Sequence, residues 1–263
     1  MIAALRYEWV RVSTIRSTKI LLVLVLAGTM ALGWLIADPW YVTYDEAGNP
    51  VGPLVVNWWD ALGIPLTITA VLASVIAAQA IGQEYRFGLI RLTLTAFPRR
   101  PRILAAKVVV VAFACVVFAL VSILGSWFGL VLRGYPTPSD EISAPQELFL
   151  LKGVVFVVLW GLSAFALAGI TRQTGLGIAV PIVSGLIVES LLGAILADRA
   201  GWLVEILPWS TASRWSAASI ASADFDGSML IDLPVGWAAL GVFAVWVAAL
   251  LALQVVSFLR RDA

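Results

Sequence analysis

The sequence contains no histidine and a single cysteine, Cys115, which lies inside an apolar run. Disulfide frameworks need paired cysteines, and zinc sites, Cys–His nucleophilic pairs and imidazole acid–base chemistry need histidine or clustered cysteines. The composition therefore excludes all four kinds of site. We expect no catalytic residue, no metal and no cofactor bound by this chain, and no enzyme activity of its own.

Charged residues are also scarce. They make up 13% of the 263 residues, whereas soluble domains average about 25%, and the mean hydropathy is +0.98. A stretch of about 20 apolar residues crosses a hydrocarbon core roughly 30 Å thick. Six such runs are present, at residues 20–37, 61–81, 108–132, 153–170, 175–197 and 235–259. The sequence thus predicts an all-α integral membrane protein, a single transmembrane domain over residues 1–263 with six transmembrane helices.

The distribution of arginine and lysine predicts the orientation, because basic residues are retained on the cytoplasmic side during insertion. The N-terminus, residues 82–107, residues 171–174 and the C-terminus hold 13 basic residues and three acidic ones. The alternate segments hold four basic residues and twelve acidic ones. We therefore expect a multi-pass protein of the cytoplasmic cell membrane with both termini in the cytoplasm.

The N-terminal 19 residues show helical spacing of apolar residues, at Ile2, Leu5, Trp9, Val12 and Ile15. Basic residues fall elsewhere around this helix, and we select Arg6, Trp9 and Arg16 as its candidate functional residues. The pattern predicts an interfacial helix in contact with the lipid bilayer. Two alternatives are an ordinary basic N-terminus and a cleaved signal peptide, but the apolar run exceeds the 7–15 residues usual in such a peptide.

The segment 82–107 between the second and third runs is long and basic. Gly88 is placed to break one helix, and Pro98 and Pro101 to limit the next. Between them, apolar residues surround Arg91, which predicts a short cytoplasmic helix suited to docking on another protein. The alternative is a basic loop that only fixes topology. The candidate coupling residues are Glu84, Tyr85, Arg86, Gly88, Arg91, Leu94, Pro98 and Arg100.

The residues Glu84, Gly88, Arg91, Leu94, Pro98, Arg100 and Lys107, together with the Leu207-Pro208 step before the last span, resemble the permease subunits of type-two ABC exporters. The resemblance extends to the whole architecture. It implies that the N-terminal helix and a cytoplasmic coupling helix receive the motion of a separate ABC ATPase subunit. It also implies pairing with a second permease subunit, identical or paralogous, and a partly re-entrant outer loop around Pro208 within residues 198–234.

The chain has no Gly-x-x-x-x-Gly-Lys-Ser/Thr phosphate loop. ATP-Mg would therefore be bound by the partner subunit. The apolar spans suit a hydrophobic or amphipathic substrate, moved by alternating access, and nothing indicates a nucleic-acid partner. Two other functions stay open: a non-transporting scaffold or immunity component, and, with less support, an intramembrane enzyme.

Glu189 is the only ionisable residue within a predicted span. At about 1.5 Å per residue it lies roughly 21 Å from the start of that span. Intramembrane carboxylates commonly face a bundle interior or a polar pathway, so we expect Glu189 to line or gate the translocation path. The alternative is that the helix ends early and Glu189 lies near outer headgroups. In the third run, Gly125 and Gly129 have a spacing that permits close helix approach.

Overall fold

The computed structural model describes residues 2–36, 42–44, 50–53, 62–90, 95, 100–134, 144–216 and 236–261. Its helices are α1 (Ile2–Thr14), α2 (Arg16–Ile36), α3 (Gly63–Arg86), α4 (Arg100–Leu132), α5 (Ala144–Thr171), α6 (Thr174–Val183), α7 (Glu189–Ile206), α8 (Pro208–Ser213) and α9 (Gly236–Arg261). A π-helical segment, Ser184–Val188, joins α6 to α7, and a 3₁₀ turn, Arg214–Ser216, follows α8.

Five helices are long and apolar enough to cross a membrane: α2, α3, and the stretches Pro101–Leu132, Leu148–Thr171 and Gly236–Arg260. They coincide with five of the six predicted runs. The chain therefore has the architecture of a helical multi-pass membrane protein. The remaining run, 175–197, falls on α6, the π-helical segment and the first half of α7, which form one helical stretch from Thr174 to Ile206.

The helices extend beyond the apolar runs that predicted them. α3 continues to Arg86, α4 begins at Arg100 and α5 begins at Ala144. A run free of charge marks the part of a helix suited to the hydrocarbon core, whereas the backbone ladder continues as long as the residues tolerate helical dihedrals. The additional turns of α3 and α4 carry Glu84 and Lys107, which meet at one end of the bundle.

One departure from a purely helical chain is a short antiparallel pair of strands. β1 (Val42–Tyr44) pairs with β2 (Pro50–Pro53), with Val42 opposite Pro53 and Tyr44 opposite Pro50. The apolar runs gave no indication of it. Val, Thr and Tyr are common strand residues, but a three-residue strand is too short to produce a detectable alternation of polar and apolar residues.

α3 and α5 are the most buried of the membrane-type helices, whereas most of the α2 and α9 surface is exposed. Small side chains such as Ala73 and Ala77 on α3, and Ala164 and Ala168 on α5, let the backbones approach closely. The bundle has two ends. The basic end carries Glu84, Lys107 and Arg172, and the tryptophan end carries Trp34, Trp215 and Trp237.

The Gly125-x-x-x-Gly129 pair packs against α2 of the same chain. A Cβ atom on Gly129 would overlap the carbonyl oxygen of Met30, and one on Gly33 would overlap the carbonyl oxygen of Ser126. Glycines on both helices therefore allow α2 and α4 to pack in close backbone contact. The motif serves the fold of one chain.

Candidate functional site

Four charged side chains from three helices meet at the basic end. The Lys107 ammonium on α4 donates hydrogen bonds to Glu8 Oε1 on α1 at 2.7 Å and to Glu84 Oε1 on α3 at 2.5 Å. Arg11 on α1 pairs with Glu84 and lies 3.4 Å from Glu8. Glu8, Glu84 and Lys107 are each only 1% exposed. We call these four residues the ion cluster.

The ion cluster is balanced, with two carboxylates and two cations. A charge removed from water is costly unless a partner of opposite sign and good hydrogen-bond geometry compensates. Lys107 bridges both carboxylates, and Arg11 also donates to the Ala80 carbonyl oxygen. The cluster therefore joins α1 to the end of α3 and the beginning of α4, the two helices that flank residues 87–99.

α1 buries a polar residue together with apolar ones. Ala4, Glu8 and Val12 are buried, whereas Ile2 is 83% exposed. The ion pair with Lys107 turns Glu8 inward, and a polar residue at that position escapes a search for apolar periodicity. Trp9 still contacts the bundle, edge-on to Phe113 of α4 at 5.3 Å. The predicted residues Arg6 and Arg16 are exposed.

The predicted helix break at Gly88 is confirmed. α3 ends at Arg86, the N–H of Phe87 donates to Gln83 O at 3.0 Å, and Gly88 has a φ of 68°. This left-handed conformation at a helix C-terminus is the one glycine adopts without strain. Phe87 is 64% exposed and lies beneath the Arg86 guanidinium at 5.6 Å. The end of α3 thus presents an aromatic ring and a cation outside the bundle.

The rest of the predicted coupling segment is described only in part. Arg91, Leu94 and Pro98, and with them the predicted short helix, lie outside the described residues. Arg100 begins α4, with Pro101 in its first turn. Proline is favoured there because the first helical N–H groups have no intrahelical acceptor. The end that Pro98 and Pro101 set for the predicted short helix lies outside the described residues, so it stays a prediction.

Tyr85, another of the candidate coupling residues, lies against the turn between α5 and α6. The Arg172 guanidinium stacks over the Tyr85 ring at 5.3 Å. One turn earlier on α3, a Cβ on Gly82 would overlap Thr174. Tyr85 and Glu84 are adjacent in sequence but face different neighbours, so the end of α3 contacts α1, α4 and the α5–α6 turn together.

Glu189 lies directly after the π-helical segment and is 4% exposed. Its Oε2 accepts a hydrogen bond of 2.6 Å from the backbone N–H of Ser210, in the first turn of α8. Leu207 is extended, and Pro208 opens α8. First-turn N–H groups need an acceptor from outside the helix. Glu189 supplies one, which gives this carboxylate a structural contact at the start of α8.

α8 and the turn after it pack back against the bundle at the tryptophan end. Trp215 is 1% exposed, with its ring 4.9 Å from that of Phe149 and 5.5 Å from that of Phe156, both on α5. Trp246 Nε1 on α9 donates to the Ile206 carbonyl oxygen at 2.7 Å. We call residues 207–216 the returning segment.

α7 bends to reach the returning segment. A straight helix of this length measures about 26 Å from end to end. Four residues of extended chain cover at most about 14 Å, and Glu189 hydrogen-bonds to Ser210, four residues beyond Ile206. The difference between these two lengths is greater than the reach of an extended glutamate side chain. The axis of α7 must therefore curve towards α9.

Three members of the ion cluster were not among the residues chosen for function: Glu8, Arg11 and Lys107. One signal was present, since Glu8 is the only acidic residue before Asp38 and occurs in an otherwise basic segment. Lys107 was noted only for its place in the family resemblance. Its partners could not be found from spacing, because they are 23 and 99 residues away.

Among the described residues, no group of three or more His, Cys, Asp or Glu side chains is arranged to hold a metal ion. The chemistry available at the ion cluster is charge pairing and the joining of helices. Compared with known proteins, the chain matches no protein-family model, and none of the curated proteins matches it either.

Proposed function

We propose that this chain is the membrane-spanning permease subunit of an ATP-driven exporter of the type-two ABC class. In this proposal it works with a separate ATPase subunit and a second permease subunit in the cytoplasmic membrane. It moves a hydrophobic or amphipathic substrate by alternating access. The observation that carries the proposal is the ion cluster, which fastens α1 to both helices that flank residues 87–99.

A soluble ATPase can drive a membrane subunit only through segments that reach the cytoplasm and are rigidly joined to the spans. Lys107 holds α1, α3 and α4 together through two buried ion pairs. A force applied to residues 87–99 therefore acts on three helices at once. A loop that only fixed topology would need no such attachment.

The surface around the cluster offers a place for that partner. Phe87 and Leu89 are exposed beyond α3, and an open groove runs along α1 beside Arg6, Tyr7 and Val10. Exposed aromatic residues and arginines are the types enriched in the core of protein interfaces. The surface suits a partner with apolar and acidic side chains.

The proposal includes six spans, both termini in the cytoplasm and a partly re-entrant outer loop. Support for a sixth span comes from the continuous helical stretch from Thr174 to Ile206. Support for re-entry comes from the Trp246–Ile206 hydrogen bond, which lies ten residues, or about 15 Å, along α9 from its beginning. In this arrangement ATP-Mg is bound by the partner, since this chain has no phosphate loop.

Purification from mild detergent tests the proposal. Wild type is expected to carry an ATPase, and Arg86→Glu and Phe87→Ala are each expected to weaken its binding about tenfold, which corresponds to about 1.4 kcal/mol. Arg260→Glu makes the same change of charge at an exposed position of the basic end on α9 and should retain the partner. If no ATPase copurifies, the scaffold alternative is favoured.

Topology provides a second test. On a Cys115→Ala background, Phe87→Cys should be protected from a membrane-impermeant maleimide in intact cells and react after the membrane is opened. Labelling of Phe87→Cys from outside intact cells would contradict the proposed orientation, and with it the ATPase partner.

A further inference from the structure

The turn between α5 and α6 contains a strained residue. Arg172 has a φ of 58°, and it is the one non-glycine residue with positive φ in the part of the chain that the structure describes. It directly follows Thr171, the last residue of α5, at the position where glycine usually ends a helix. An arginine there carries a conformational cost that glycine would avoid.

The side chain of Arg172 makes a contact that accounts for its presence. Its guanidinium lies over the Tyr85 ring at 5.3 Å, a geometry in which the cation is attracted by the face of the ring. The turn also touches α3 at Gly82, where a side chain would overlap Thr174. The turn is therefore held against the end of α3 at two places.

Tyr85 follows Glu84, so the α5–α6 turn contacts α3 directly beside the ion cluster. On its other side the turn opens α6, which continues through the π-helical segment to Glu189 and its hydrogen bond to Ser210. Arg172 and Glu189 are 17 residues apart, or about 25 Å along a helix. The Tyr85–Arg172 contact thus connects the end of α3 with the returning segment through one helical stretch.

We propose that Arg172 is a positioning residue that transmits movement of the end of α3 through Tyr85 to α6, and from there to the returning segment. This inference rests on the proposed function, since the movement would come from the ATPase. Only residues 172 and 173 lie between α5 and α6, too short a turn to reach far into the cytoplasm. Arg172 therefore acts through α3.

Arg172→Gly is the decisive variant. Glycine adopts a φ of 58° without strain, so the variant removes the guanidinium and should fold at least as well as wild type. Tyr85→Leu removes the ring from the other side of the contact, whereas Tyr85→Phe keeps it and serves as the matched control. The complex with its ATPase in nanodiscs is the material for the experiment.

The readout is the rate at which Ser213→Cys, on a Cys115→Ala background, reacts with a membrane-impermeant maleimide, with and without ATP and vanadate. Ser213 is exposed on α8. We expect the rate to change at least threefold between the two states when Arg172 and Tyr85 are intact or Tyr85→Phe is present. Arg172→Gly should abolish most of the change while Tm and ATPase binding stay the same. Tyr85→Leu should abolish it as well.

An Arg172→Gly complex that responds as strongly as the unaltered chain overturns this inference and leaves the proposed function intact. A loss of Tm or of ATPase binding in Arg172→Gly also overturns it, because Arg172 would then serve stability or docking. If the chain with Arg172 and Tyr85 intact binds no ATPase, the proposed function fails and this inference fails with it.

Discussion

The two ends of the bundle fasten a peripheral segment by different chemistry. At the basic end, α1 is held by two carboxylates and two cations that alternate in sign. At the tryptophan end, the returning segment is held by aromatic rings around Trp215 and by the hydrogen bond from the Ser210 N–H to Glu189, and Trp246 donates to Ile206 directly before it. A buried ion pair needs every charge to keep its partner, whereas aromatic rings are held by their buried area and packing geometry. The comparison teaches that α1 is tied to α3 and α4 by paired charges, and the returning segment to α5 mainly by rings.

Removing the Lys107 ammonium should have the largest effect on stability. Lys107→Leu leaves Glu8 and Glu84 buried with Arg11 as their only cation within the ion cluster, and breaking a buried pair in this way costs about 3–5 kcal/mol. Thermal unfolding in nanodiscs measures the loss. Adding Glu8→Gln to Lys107→Leu should restore part of it, because the remaining charges on Arg11 and Glu84 balance. An unchanged Tm for Lys107→Leu would show that the cluster does not hold the helices together.

Trp215→Ala should have the next largest effect on stability, at the tryptophan end. It removes a fully buried ring from its contacts with Phe149 and Phe156, and truncations of this kind cost about 3 kcal/mol or more in protein cores. The returning segment should detach while α1 stays in place. Labelling of Ser213→Cys should therefore accelerate, while labelling at Ser13→Cys stays constant. Equal acceleration at both positions would mean that the two ends are not independent.

Substitutions of Glu189 should have a smaller effect on stability, and they distinguish a structural role of its carboxylate from a transport role. If its carboxylate only accepts the Ser210 hydrogen bond, Glu189→Gln keeps an acceptor and retains stability, whereas Glu189→Ala loses about 1 kcal/mol. If its charge lines or gates the translocation path, Glu189→Gln should reduce transport as much as Glu189→Ala. Tm and transport by both variants decide between a structural and a transport role.

The smallest effect expected is that of salt. Debye screening weakens interactions between exposed charges but hardly reaches buried pairs. Raising NaCl from about 0.05 to about 0.5 M should therefore change the unfolding free energy by less than about 0.5 kcal/mol. A larger loss that disappears in Lys107→Leu would show that water and salt enter the ion cluster.

The sequence predicted the elements that depend on local composition. Charge-free runs located five membrane-type helices, and Gly88 marked the end of α3 correctly, because glycine acts through its own backbone preference. The burial of Glu8 on α1 was not predicted, because its partner Lys107 is distant in sequence.

The tryptophan end was predicted less well for the same reason. Pro208 indicated a break, and the structure places it at the start of α8. The π-helical segment packs against Trp209, and Glu189 directly after it accepts from Ser210, contacts that local sequence does not encode. Glu189 was recognised in the sequence as a lone charge. Its role as a hydrogen-bond acceptor could not be predicted, because the sequence does not show that the Ser210 N–H lies next to it.

The close packing of α2 on α4 has a consequence for assembly. Gly33, Gly125 and Gly129 form grooves that the backbone of the neighbouring helix already fills. A helix from another chain would find no space in these grooves, so the pairing proposed above would have to use other surfaces. Bulky substitutions at these three glycines should consequently damage the fold of the single chain.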